Sequence, residues 1–155
     1  MATAARSPAE SLARAVRIHV FKKAAATGRV PQAPQIAAAL KRTVADVKLA
    51  LRDLAAAKVI ILAPNDGDIW AANPFCAVPS GFRVVAGGKT YWGICIWDSL
   101  GIAAALGKDA VISGQCGDCG DPMTLKVRNG RLVRPGGVIH FGVRAHHWWD
   151  NVGYT

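Results

Sequence analysis

The 155-residue sequence predicts an α+β protein in two units, a helical N-terminal unit over residues 1–72 and a small mixed α/β domain over residues 73–155. Three observations predict it. Helix start and stop signals with apolar residues at helical spacing occupy the chain as far as Ala57, and short β-branched or aromatic runs separated by glycine turns follow. Basic charge is concentrated in the first unit. With 52% hydrophobic and 19% charged residues, the chain has enough apolar material for a core and is not of disordered composition.

Ser7-Pro8-Ala9-Glu10 combines an N-cap residue, a proline at the first helical position and an acid in the first turn, so a helix should start there and run through Leu12, Val16, His19, Val20 and Lys23. Thr27-Gly28 should end it, and residues 1–6 should be frayed. Pro31 and Pro34 punctuate a linker before a short helix from Gln35 to Leu40. Thr43-Val44-Ala45-Asp46 reads as a capping box that opens a third helix with Val47, Leu51 and Leu54 on one face. The run Val59-Ile60-Ile61-Leu62, the turn from Pro64 to Asp68 and the pair Ile69-Trp70 then predict a two-stranded wing, which makes the first unit winged-helix-like.

From Asn73-Pro74 onward the predicted strands are Phe82 to Val85, Ala110 to Ser113, Met123 to Val127, Leu132-Val133 and Val138 to Val143, with turns at Gly87-Gly88 and Asn129-Gly130. One apolar helix, from about Ile94 to Leu106, should lie buried against them and end at Gly107.

The formal charge of +9 is uneven: residues 1–64 carry 11 Lys and Arg against the three acids Glu10, Asp46 and Asp53, and the rest carries eight against seven. That asymmetry suits either a nucleic-acid partner or a solvated helical face. No apolar run approaches the roughly 18 residues that cross a bilayer, and the N-terminus lacks a signal-peptide pattern, so a soluble cytoplasmic protein with no membrane partner is expected. In a reducing compartment Cys76, Cys95, Cys116 and Cys119 read as catalytic, metal-binding or buried thiols, not as a disulfide framework.

The string Tyr91-Trp92-Gly93-Ile94-Cys95-Ile96-Trp97-Asp98-Ser99-Leu100-Gly101 places a thiol and a carboxyl group three residues apart at a helix start, where the helix N-terminus should favour a thiolate. By residue type alone, a buried Cys95 and a capping Asp98 are the plainer reading. Cys116-Gly117-Asp118-Cys119 forms a knuckle tight enough for two thiolates to share a metal. Structural zinc needs four ligands, and His140, His146 and His147 lie 21 or more residues away, so zinc is not expected. His146-His147-Trp148-Trp149 reads as aromatic packing with exposed imidazoles, with a pocket wall as the other reading.

Pro74-Phe75, Pro79, Phe82-Arg83-Val84, Trp92, Cys95, Asp98, Leu100, Ser113, Cys116, Gly120 and Pro122, taken in order and spacing, resemble the core of the organomercurial (alkylmercury) lyases. The helix-turn-helix-like first unit also resembles that family's layout. The resemblance implies that Cys95 is a mercury-binding thiolate and that Asp98 delivers a proton to the carbon leaving mercury. It implies a structural role for Cys116. The products would be a hydrocarbon and Hg(II), with cellular thiols removing the metal and no further cofactor required. In the family a second catalytic cysteine follows an aromatic-rich segment, which Trp148 to Tyr154 resembles. The chain stops at Thr155, so the 73–155 domain is expected to lack its C-terminal end or to take a second ligand from Cys76, Cys116 or Cys119. The predicted metal-binding residues are thus Cys95, Cys116 and Cys119.

Two other readings compete with the enzyme. A winged-helix regulator would sense a soft metal while Lys41, Arg42, Lys48 and Arg52 contact DNA, although the family's unit packs on its catalytic part, which disfavours nucleic acid. A non-catalytic family member would hold mercury without breaking its bond to carbon.

Overall fold

A computed structural model of the protein describes residues 7–152, so the expected fraying of residues 1–6 lies outside the described residues. Helix α1 (Pro8–Thr27) opens with a full capping box, in which the Ser7 hydroxyl accepts from the Glu10 amide and the Glu10 carboxylate accepts from the Ser7 amide. Gly28, at φ 74°, ends it in the left-handed region. Helix α2 (Ala33–Leu40) and helix α3 (Val44–Ala56) follow, and the Thr43 hydroxyl caps α3 at the Asp46 amide.

Val16, Val20 and Ala24 of α1 pack with Val47, Ala50, Leu51 and Leu54 of α3 in the core. Leu51 is 1% exposed, so Leu51→Ala should cost about 2–5 kcal/mol in a denaturant titration. A loss below about 1 kcal/mol would mean that this face is not the packed one.

Strand β1 (Ile61–Leu62) pairs antiparallel with β2 (Ile69–Ala72), the expected hairpin. The run entering it contributes only its last two residues to the strand. The chain then reverses at a cis Asn73-Pro74 bond into β3 (Phe75–Cys76), which pairs with β2 and was not expected. This sheet spans the 72/73 junction. The Gln32 side chain ties it to the helices, accepting from the Ile69 amide at 2.7 Å and donating to the Ile69 carbonyl at 3.0 Å.

The second sheet contains β4 (Phe82–Ala86), β5 (Lys89–Gly93), β6 (Ala110–Gln115), β7 (Pro122–Arg128) and β8 (Arg131–Leu132) in the order β5-β4-β6-β7-β8, antiparallel throughout. Helix α4 (Ile96–Leu106) connects β5 to β6 and lies on the sheet, burying Ser99, Ile102 and Ala103, while Trp97 remains 56% exposed. It ends at Gly107 as expected. The fold is α+β.

Two contacts bring the helical unit onto β5. The buried Tyr91 hydroxyl donates to the Ala25 carbonyl at 2.9 Å, and a Cβ at Gly28 would collide with the Thr90 carbonyl oxygen. Only glycine tolerates both that approach and the left-handed backbone. Among the described residues no helix is long and apolar enough to cross a membrane.

One expected strand is absent: residues 138–143 form no ladder. An apolar run becomes a strand only where a partner edge and a half-buried face are available. Val138 is instead 92% exposed, and Phe141 packs against Trp97 of α4 and against Trp148.

Candidate active site

Cys95 is the N-cap residue of α4, with an extended backbone, and Asp98 lies in the first helical turn. The thiol points at the carboxyl group and donates to Asp98 Oδ2 across 3.7 Å. Two features hold the cap in place. The Cys95 carbonyl accepts from the Ser99 amide at 3.1 Å and from the Ser99 hydroxyl at 2.9 Å, and Ser99 is fully buried. Gly93, just before the cap, sits so close that a Cβ there would lie 2.5 Å from Ser99 Oγ and 3.0 Å from the Cys95 carbonyl oxygen. Gly93→Ala should therefore displace the start of α4, loosen the cap and speed alkylation of Cys95 by a bulky maleimide, with thermal stability reduced by about 1–3 kcal/mol. An unchanged rate and stability would show that the approach is not tight.

Burial raises the Cys95 thiol above its ordinary pKa, outweighing the Asp98 and Trp97 amides that favour the thiolate, and the Asp98 charge adds to the rise. This corrects the expectation that the helix start would favour a thiolate: desolvation is the larger effect. Burial likewise raises the Asp98 carboxyl, opposed by hydrogen bonds from the Cys95 thiol and from the backbone of Cys95 and Ile94. Both groups therefore hold their protons to higher pH than they would in water.

The pair opens into a cavity of about 410 Å³. Asn73 and Pro74 of the β2–β3 turn form one side, Trp97 of α4 another, and Phe141, Trp148 and Trp149 close it from the C-terminal segment. The wall is stacked: Trp97 meets Phe141 edge-on at 6.0 Å and Phe141 lies 4.8 Å from Trp148. The Trp148 indole donates to the Val143 carbonyl at 2.8 Å, and Lys58 Nζ stands 5.8 Å over the Trp149 ring.

Of the predicted site residues, the structure brings Cys95 and Asp98 together. Cys116 and Cys119 lie at the β6–β7 turn and neither lines this cavity. Cys76 is buried on β3, donates to the Trp70 carbonyl at 3.7 Å and is also outside the lining, so among the described residues Cys95 is the cavity's one cysteine. No group of three or more His, Cys, Asp or Glu able to hold a metal occurs among the described residues. His146 and His147 are exposed, His147 pairing with Asp150 at 2.8 Å, whereas Trp148 and Trp149 form the pocket wall that was the secondary reading of that string.

Sequence reasoning missed Ser99, Gly93, Trp97 and Phe141. Ser99 lies four residues beyond Cys95, which in a helix stacks it under the cap and is a legible signal. Phe141 had none, because the ring it meets on α4, Trp97, is remote in sequence.

A family model described as alkylmercury lyase (MerB) matches residues 75–155, slightly more than half of the chain. No curated protein matches the chain. Among solved structures, the crystal structure of the mercury-bound form of MerB2 is similar, with a TM-score of 0.60 and 19% identity over 83% of this chain and 67% of that one. That likeness is one of fold. The stretch matched by the family model contains the thiol, the carboxyl group and most of the cavity around them, and the chain belongs to the alkylmercury lyase family.

Proposed function

We propose that the chain cleaves carbon–mercury bonds in organomercurials, with Cys95 binding the metal and Asp98 protonating the departing carbon. The observation that carries this reading is the S–H···O contact of 3.7 Å inside an aromatic-walled cavity. A soft sulfur is the ligand that mercury prefers, and the hydrocarbon part of the substrate finds an apolar wall. As the Cys95 sulfur bonds to mercury, the substrate's former ligand leaves and carries the thiol proton with it. A second thiolate then raises the electron density on carbon, Asp98 gives its own proton to that carbon, and the carbon–mercury bond breaks. The hydrocarbon departs and Hg(II) stays on sulfur, with no change of oxidation state.

Because no second cysteine among the described residues lines the cavity, the second thiolate in this reading is a low-molecular-weight cellular thiol, which also carries Hg(II) away. Zinc and other cofactors have no part in it. The apolar cavity serves a further purpose by holding the Asp98 proton to higher pH than water would.

The test is single-turnover release of hydrocarbon from a pre-bound organomercurial, followed by gas chromatography across pH with the concentration of added thiolate held constant. Release needs the protonated carboxyl group, so it should persist above the ordinary carboxylate range and fall as pH rises through the raised Asp98 pKa. Release that climbs with pH through that range would exclude Asp98 as the acid.

A further inference from the structure

The β6–β7 turn holds a pair of thiols that the proposed reaction does not use. Cys116 closes the turn through its backbone, donating to the Asp121 carbonyl at 2.8 Å and accepting from the Gly120 amide at 3.0 Å. Gly120, at φ 75°, adopts the left-handed backbone that lets the chain fold back within five residues. Cys119 is exposed and Cys116 half-buried, and both are free thiols. The Cys119 amide, the Asp118 amide and the Cys119 thiol all favour the Cys116 thiolate, which lowers the Cys116 pKa. The turn thus holds two free thiols three residues apart at the surface.

Among the described residues no third or fourth ligand joins them, so the tetrahedral shell that structural zinc needs is missing. A soft ion satisfied by two thiolates needs nothing more. We propose that Cys116 and Cys119 form a second soft-metal site, a surface dithiolate that takes Hg(II) from its complexes with monothiols. The exchange balances. Two mercury–sulfur bonds to the monothiols break, two to Cys116 and Cys119 form, and the two cysteine protons pass to the departing thiolates. No electron is transferred. The pair outcompetes separate monothiols because closing the second bond is intramolecular.

An organomercury cation has one exchangeable position and binds a further sulfur only weakly, so it gains little retention from the pair. The site therefore accepts the inorganic product and not the substrate, in keeping with the proposed reaction at Cys95, although its binding of Hg(II) does not depend on that reaction.

The experiment uses the full chain carrying Cys95→Ser, loaded with Hg(II) or with phenylmercury in excess glutathione, and reads retained metal by native mass spectrometry and by sulfur-to-mercury charge-transfer absorption. One Hg(II) per chain should be retained, phenylmercury should not, and adding Cys116→Ser or Cys119→Ser should lower Hg(II) retention roughly a hundredfold or more. Thermal unfolding of each variant reports whether the fold is intact, and if Cys116→Ser unfolds, Cys119→Ser carries the same comparison. The proposal is overturned if the Cys95→Ser chain retains no Hg(II), or if retention is unchanged without the pair. Hydrocarbon release, measured separately on the chain with Cys95 intact, tests the lyase reading, so the two can fail independently.

Discussion

Replacing Cys95 with serine should remove tight organomercurial binding from the cavity. With excess glutathione present to strip exposed single thiols, retention of phenylmercury by the intact chain should fall at least about a hundredfold, because an alcohol is a hard, protonated ligand. Asp98 offers no substitute, since burial keeps its carboxyl group protonated above the usual range. Mass spectrometry of the adduct, with the labelled peptide identified, is the direct measurement. An undiminished adduct would move the primary site to the Cys116/Cys119 turn and end the proposal for the cavity.

The second large effect concerns the step after binding. Asp98→Asn should leave phenylmercury bound while lowering benzene release about 10²- to 10⁴-fold, the range typical for loss of a positioned proton donor. The substitution should not weaken the fold. Between the ordinary carboxyl pKa and the raised native one, native Asp98 keeps a proton that the unfolded chain has lost, so its contribution to stability falls as pH rises through that window. An amide never ionises and escapes the loss. A fold weaker at neutral pH in Asp98→Asn would show that the Cys95 contact matters more than the desolvation.

The need for two thiolates predicts slow release from the 155-residue chain when Cys95 is the sole thiol on mercury. Adding a cysteine directly after Thr155 should then raise release about tenfold or more at low external thiol, since a tethered ligand replaces a dilute one. If the unextended chain already releases benzene at a rate that neither the added cysteine nor external thiol improves, the second ligand lies within the chain. Single substitutions of Cys76, Cys116 and Cys119 would then identify it.

What the sequence determined by itself is local. The Ser7 and Thr43 caps, the stop at Gly28, the turns at Gly87-Gly88 and Asn129-Gly130 and the placing of Cys95 and Asp98 three residues apart at the start of α4 depend on contacts within a few residues, so they are legible in order along the chain. The tertiary structure decided whatever depends on remote partners. It paired β3 with β2, so that the Asn73-Pro74 turn forms a cavity wall, and drew Phe141 between Trp97 and Trp148 where an apolar run alone suggests a strand. It also set the protonation of the site. A helix start predicts a thiolate at Cys95, but desolvation depends on what covers the sulfur, and the covering groups come from three separate parts of the chain.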